Sequence, residues 1–599
     1  MEQYWDCSLC RVENKAKALR CRGCSGKLRG RDRLVHETQG AGRARRTAAL
    51  LSALAPGAGQ MYQGRWLTGA VLAVLVPLAG ALVAATWNGF TYGHAFLLGA
   101  AVFVMAVAAA DAWIGPRVAR APCQETCPAG LDIPDYLQLI VDGDYEQGYA
   151  LVRTRVPLVG VIGRICPHPC ESRCVRGIDG EPIAINACKR FLADGHRDVA
   201  RRRAQEKRRG VVLVDGGRPS VAVVGSGPAG LACAYYASVL GASVTVYEAA
   251  PVVGGRLATT IPDYRLPPGI LHEELEDLRN RGVRFLTQAP VGPDGRAIER
   301  LLGEHDAVFL AVGAGRSAAL QTPGEGTFLD FQDVLTAVKL GQPVDLGRKV
   351  AVVGGGNAAM DVCRTAVRLG VEQVHLLYRR SREEMPARPD EVEEAQREGV
   401  QIHFLSDPVE TCRGDGGTTR LRIRRMRLGP PDASGRPVPV PVEGEDWWLE
   451  VDAVVPAIGQ AVAGPLFHDP ALASLRRHPD GRIWVDPTTQ RTSCERIYAG
   501  GDAVGGASTA VEAMAHGRTA ALAIYVAHGP GGRRLRLTDK RIRKPFLGHR
   551  ETPQARIREE MPKLPARSRV DGFREVEEGF REAAACREAG RCLQCHREL

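Results

Sequence analysis

The stretch SVAVVGSGPAGLA at residues 220–232 carries the strongest fold signal in the chain. A short run rich in β-branched residues leads into a glycine turn and then a helix start. Gly225 permits the tight turn, Gly227 lets the backbone approach a pyrophosphate, and Gly230 lets the helix pack on the strand. The helix amino terminus then offers its positive dipole end to phosphate. The next apolar strand, residues 243–247, closes on Glu248, whose carboxylate suits ribose hydroxyls. A lone glycine signature is weak evidence, but this one sits in its βαβ context with its acid.

A second unit, KVAVVGGGNAAMD at residues 349–361, repeats the pattern through Gly354, Gly356, Asn357 and Ala359. Its partner strand, residues 373–378, ends in Arg379 and Arg380 where the first unit ends in Glu248. A carboxylate repels a 2′-phosphate, whereas a guanidinium clamps it. The second site therefore reads as NADP-binding and the first as FAD-binding. The competing reading of the two arginines is a solvated strand end.

At 599 residues the chain is too long for one compact domain. Hydrophobic residues at 45% and charged residues at 25% exclude wholesale disorder and a polytopic transporter. The net charge of +11 is scattered and aromatics are only 6%, so no nucleic acid is expected in the enzyme region. Seventeen cysteines in short clustered spacings resemble metal ligation in a reducing compartment more than a secreted disulfide framework.

Cys7, Cys10, Cys21 and Cys24 form two C-x2-C knuckles. Four thiolates suit structural zinc, with a rubredoxin-like iron site as the competing metal. With Trp5 and Asn14 the pattern resembles the Ran-binding-protein type of zinc finger. Residues 67–86 are uncharged and long enough to span a bilayer, and residues 94–114 are nearly as apolar. Arg43, Arg45, Arg46 and Arg65 precede the pair, and Arg117 and Arg120 follow it. The positive-inside rule then places both termini and the catalytic domains on the cytoplasmic side of an inner membrane.

Six further cysteines follow: Cys123 and Cys127, then Cys166, Cys170 and Cys174, then Cys188. Thiolate-only spacings of this kind favour 4Fe–4S clusters, and two clusters need eight ligands. Cys592 and Cys595 near the carboxy terminus bring the total to eight. A remnant zinc site or an empty fold is the competing reading.

The run RICPHPCESRCVRG at residues 164–177 resembles the cluster domain of the glutamate synthase small-subunit family. The same domain occurs in dihydropyrimidine dehydrogenase and in the large subunit of ferredoxin–NADP transhydrogenase. Gly254-Gly255-Arg256, IPDYRLP at 261–267 and YRRSREEMPA at 378–387 are further matches. The resemblance covers about residues 122–530. It implies one cluster on Cys127, Cys166, Cys170 and Cys188, and another on Cys123 and Cys174. Relatives place a C-x2-C pair ahead of the Cys123 position; none stands there in this chain, so Cys592 and Cys595 are expected to replace it. It also implies Arg256 in the FAD site, and a returning flavin segment at Gly501 and Asp502 whose carboxylate reaches the ribityl chain. A helix over 508–520 is expected to face the flavin ring.

The expected fold class is a multidomain α/β flavoprotein with two Rossmann-like domains, a helical iron–sulfur domain, two transmembrane helices and a zinc ribbon. The expected order is zinc finger 1–30, basic linker 31–47, anchor 48–116, 4Fe–4S domain 117–209, first FAD-binding segment 210–346, NADP-binding domain 347–463, second FAD-binding segment 464–530, and a basic tail 531–599. The expected function is a membrane-anchored oxidoreductase carrying electrons from NADPH through FAD to two 4Fe–4S clusters and an iron–sulfur or quinone-linked partner, with zinc in the amino-terminal module. The alternatives are a glutamate synthase small subunit working with a separate large subunit, and a non-catalytic redox sensor or scaffold. No side-chain acid or base is expected to be catalytic.

Overall fold

A computed structural model describes residues 4–6, 13–15, 120–195, 218–293, 295–320, 322–432, 435–462, 464–529 and 557–595. The chain divides into two compact units, Met1–Pro122 with Leu593–Leu599, and Cys123–Cys592. In the first, strands β1 (Tyr4–Asp6) and β2 (Glu13–Lys15) pair antiparallel. The expected zinc ligands Cys7, Cys10, Cys21 and Cys24, and the apolar segments 67–86 and 94–114, lie outside the described residues. Among the described residues, no helix is long and apolar enough to cross a membrane.

The second unit begins with a helical domain. Its helices are α1 (Ile133–Val141), α2 (Tyr145–Arg153), α3 (Val159–Ile165) and α4 (residues 185–195). Ile133, Tyr136, Leu137 and Ile140 of α1 are fully buried, at the i, i+3, i+4, i+7 spacing of a single core-facing stripe. Gly163 lies so close to α4 that an added Cβ would meet Arg190 Cα at 2.9 Å.

Two parallel sheets frame the dinucleotide-binding region, β3 (Ser220–Val224), β4 (Ser243–Tyr247), β5 (Arg284–Leu286) and β6 (Ala307–Leu310) entering the first. Helix α5 (Pro228–Val239) follows β3. The chain then builds the second sheet from β7 (Lys349–Val353), β8 (Gln373–Tyr378) and β9 (Gln401–Phe404), with α6 (Asn357–Arg368) and α7 (Pro389–Arg397). An antiparallel sheet of β10 (Ser406–Arg413), β11 (Thr419–Pro431) and β12 (Pro437–Val451) precedes β13 (Ala453–Pro456), which pairs with β7. The chain finally returns to the first sheet as β14 (Ile497–Ala499), giving the order β14-β6-β3-β4-β5. Near-continuous burial of β3, β6 and β7 is what parallel strands covered on both faces require.

Helix α8 (Ala510–His528) follows β14. It starts later than the expected 508 because Ser508 is held by Asp502 and Thr509 closes a capping box with Glu512. Gly517 allows α8 to cross α5 closely: a Cβ there would stand 2.1 Å from Ala229 O.

Residues 557–592 fold back over the helical domain. Helix α9 (Glu582–Gly590) places Glu588 to accept from Ala184 N at 2.6 Å, and Arg176 Nε donates to Arg591 O at 3.0 Å. Upstream, Glu575 pairs with both Arg164 and Arg190. Lys563 reaches Glu394 on α7 at 3.0 Å.

Candidate functional site

Both glycine loops adopt backbone that only glycine takes easily. Gly225 and Gly354 have φ of +97° and +147°. A Cβ at either would stand 2.4 Å from a carbonyl oxygen, of Ala311 and Ala457 respectively. Gly227 and Gly356 are the N-caps of α5 and α6, and neither helix start has a side-chain cap. The first-turn N–H groups are thus left for a ligand. Gly230 and Ala359 pack behind the loops, a Cβ at Gly230 falling 2.0 Å from Gly225 O.

Both loops open into one cavity of ≈ 1400 Å³. Gly225, Gly227, Glu248, Arg256, Gly501 and Asp502 line its first-sheet side; Gly354, Gly356, Asn357, Arg379 and Arg380 line the other. Glu248 accepts from Ser226 N and Ala250 N, both at 2.9 Å, so the acid also fixes the loop that precedes it. Arg256 donates to Asp502 at 3.2 Å and to Gln460 and Ala314 O. Asp502 also accepts from Ser508 Oγ at 2.9 Å. Gly501 N donates to Nδ1 of His516, a histidine whose pKa burial holds below its ordinary value.

On the second-sheet side Arg379 is exposed, while Arg380 is buried and donates through Nε to Pro437 O at 2.8 Å. Arg436, from the β11–β12 hairpin, lines the same cavity and donates to Glu384 O at 3.1 Å. Burial raises the Asp407 carboxyl, with Arg379 opposing. Sequence reading missed Arg436 and Asp407 because they join the site from a separate sheet. The local signal of Arg436 is charge in a strongly basic hairpin, and Asp407, on β10, carries none.

Cys127, Cys166 and Cys170 line a small second cavity with Pro128, Tyr136, Lys189 and Val511. Burial pushes the Cys127 thiol up, opposed by the Leu131 backbone and by Lys189; burial pushes Cys170 well up. Cys188 is not among the lining residues: its thiol is raised by burial, Glu588, Glu171 and also Cys592. Cys592 is buried beside Arg591, which the cluster domain holds through Arg176, two residues beyond Cys174. Cys123 and Cys174 are buried in the same domain, and Cys595 belongs to the other unit. Among the described residues, no three Cys, His, Asp or Glu side chains are gathered for a single metal ion. Thiols for a cubane stand wider apart, each on its own iron, and three buried thiols facing a buried cation fit that donor chemistry.

Cys233 and Cys363 are fully buried on α5 and α6, as core residues. His375 stacks on His403 in the second sheet.

Two glycine-loop domains sharing one cavity beside a thiol-lined helical domain define a pyridine-nucleotide flavoprotein with iron–sulfur sites. Residues 219–517 match the pyridine nucleotide-disulphide oxidoreductase family, and residues 106–200 match dihydropyrimidine dehydrogenase domain II, 4Fe-4S cluster. The NADP(+)-dependent formate dehydrogenase subunit beta of Moorella thermoacetica is 43% identical over 80% of this chain and 71% of its own length. The NADPH-Fe(3+) oxidoreductase subunit beta of Geobacter sulfurreducens is 34% identical over 80% and 75%. The glutamate synthase [NADPH] small chain of Azospirillum brasilense is 33% identical over 67% and 85%. The chain belongs to the glutamate synthase small-subunit-like family of FAD/NADP oxidoreductases with a 4Fe–4S domain. It is an NADPH-dependent oxidoreductase.

Proposed function

We propose that the chain is the NADPH-side subunit of a larger redox assembly, passing electrons from NADPH to its own 4Fe–4S sites and on to a separate redox protein. The observation that carries this reading is α8. Its first turn gives Ala510, Glu512 and Ala513 to the large cavity and Val511 to the three-thiol cavity. A bound flavin supplies the exchange between two-electron hydride chemistry and one-electron chemistry. The chain's own residues bind and orient. The uncapped starts of α5 and α6 hold pyrophosphates, Arg379, Arg380 and Arg436 hold the 2′-phosphate, and Arg256 and Asp502 fix the flavin segment.

The names of the Moorella and Geobacter relatives, both β subunits, support a partner in another polypeptide. The coverage of the Azospirillum small chain supports a second reading, a glutamate synthase small subunit paired with a large one. We further propose that Cys127, Cys166, Cys170 and Cys188 hold one cluster and Cys123, Cys174, Cys592 and Cys595 the other. Zinc on the four amino-terminal cysteines and anchoring by residues 67–86 and 94–114 to the cytoplasmic face of a membrane rest on the sequence alone.

Anaerobic titration of the full chain with NADPH and then NADH, following flavin absorbance and cluster EPR together, tests the reading. Bleaching of flavin by NADPH with cluster signals growing in behind it supports it. Flavin that neither nucleotide reduces would leave the sensor reading in its place.

A further inference from the structure

Lys189 projects from α4 into the three-thiol cavity and is 4% exposed. No hydrogen bond or ion pair joins its ammonium to another described residue. The acids that act on the neighbouring thiols are committed elsewhere. Glu171 is held by Arg558 at 2.8 Å, His168 at 3.3 Å and Asn186 N at 2.9 Å. Glu588 is held by Arg591 and Ala184 N, both at 2.6 Å. An ammonium held in a nearly closed pocket without a carboxylate partner is disfavoured, and an anion on the pocket wall would stabilise it. The groups facing it are the thiols of Cys127, Cys166 and Cys170.

We propose that Lys189 is the built-in counter-ion of the iron–sulfur cluster on Cys127, Cys166 and Cys170, raising that cluster's reduction potential. The inference rests on the reading that these thiols hold a cluster. Thiolates and a cubane together carry net negative charge, and reduction adds one more negative charge at the same place. A fixed positive charge in a low-dielectric wall therefore favours the reduced form over the oxidised one. Because Val511 joins this cavity to the α8 turn that lines the flavin cavity, the charge sits where electrons from flavin would arrive. The effect is one of charge, not of ligation, so arginine preserves it and methionine removes it.

The test is an EPR-monitored redox titration of the full-length holoenzyme, with iron counted per flavin, for wild type, K189M and K189R. K189M is expected to lower the reduced-to-oxidised ratio of one cluster about tenfold at fixed poise, roughly 59 mV for one electron. K189R is expected to stay within about twofold of wild type, because the charge remains. An unchanged potential in K189M, or equal shifts in K189M and K189R, would overturn the proposal. If K189M emerges without this cluster, iron retained in K189R but lost in K189Q supports the counter-ion role, and any other pattern refutes it. Absence of cluster signal in the wild type would instead defeat the underlying cluster reading.

Discussion

Arg256 and Asp502 meet at 3.2 Å on the first-sheet side of the large cavity, although 246 residues separate them in the chain. Arg256 follows a glycine pair after β4, and Asp502 follows β14. Their contact ties the two halves of the first dinucleotide domain together after the second has been inserted. R256A removes the cationic partner of Asp502 and leaves its carboxylate to Ser508, and a charged hydrogen bond lost this way costs about 1.5–3 kcal/mol. Flavin binding is expected to weaken about tenfold or more, read from flavin-to-protein ratios after equilibrium ultrafiltration. Full flavin retention in R256A would remove this pair from the site.

Arg379 and Arg436 are both exposed cations on the second-sheet side of the cavity, Arg436 reaching in from the hairpin. Each of R379A and R436A is expected to raise KM for NADPH about tenfold, the loss of one charge-assisted contact, and to leave the NADH reaction unchanged. Arg380 is a poorer probe because it is buried and its loss would also release the Pro437 carbonyl inside the fold. Equal losses with both nucleotides would show that these arginines do not read the 2′-phosphate.

His516 accepts the Gly501 N–H through Nδ1, so the proton of the neutral ring sits on Nε2. Burial depresses its pKa in the folded protein. The folded state therefore binds fewer protons than the unfolded one between the depressed value and about 6.5. Stability is fully present above that unfolded value and is lost as pH falls through the folded one. H516N keeps an acceptor near the Nδ1 position without the titration. Thermal melts from about pH 7 to 5 should show a shallower fall in Tm for H516N than for wild type; identical profiles would exclude this histidine as the cause.

Alanine at Cys592 and Cys595 together tests the carboxy-terminal ligands. If they complete the second cluster, iron per flavin falls to about half with one set of cluster signals retained. Unchanged iron would mean that another donor closes that site.

Glu398, at the end of α7, holds both Arg364 and Arg368 of α6 at 2.7 Å, all three buried. E398Q takes the counter-charge from Arg368 and one of two carboxylates from Arg364, which keeps Glu391, and is expected to cost about 3 kcal/mol. Urea unfolding should show a lower midpoint with an unchanged slope.

The two glycine loops are legible in sequence because their chemistry is local: strand, turn and helix start are neighbours in the chain, and positive φ at Gly225 and Gly354 demands glycine. The acid and arginine ends of β4 and β8 are legible for the same reason, each ending the strand after its loop. The amino end of α8 falls later than the pattern predicts because its boundary depends on Asp502 capturing Ser508, a contact outside any helical pattern. Lys189 reads in sequence as one more basic residue of a charged helix; only packing reveals that it is buried and faces thiols.

Residue order and short-range chemistry are enough to set the number and order of the glycine loops and the thiol-rich character of the helical domain. Packing alone brings both loops to one cavity, sets α8 against that cavity and the three-thiol site together, and returns Cys592 to the cluster domain. It also leaves the Lys189 ammonium facing thiols rather than a carboxylate. Such facts depend on burial and on contacts between residues hundreds of positions apart, and no local pattern of side chains encodes them.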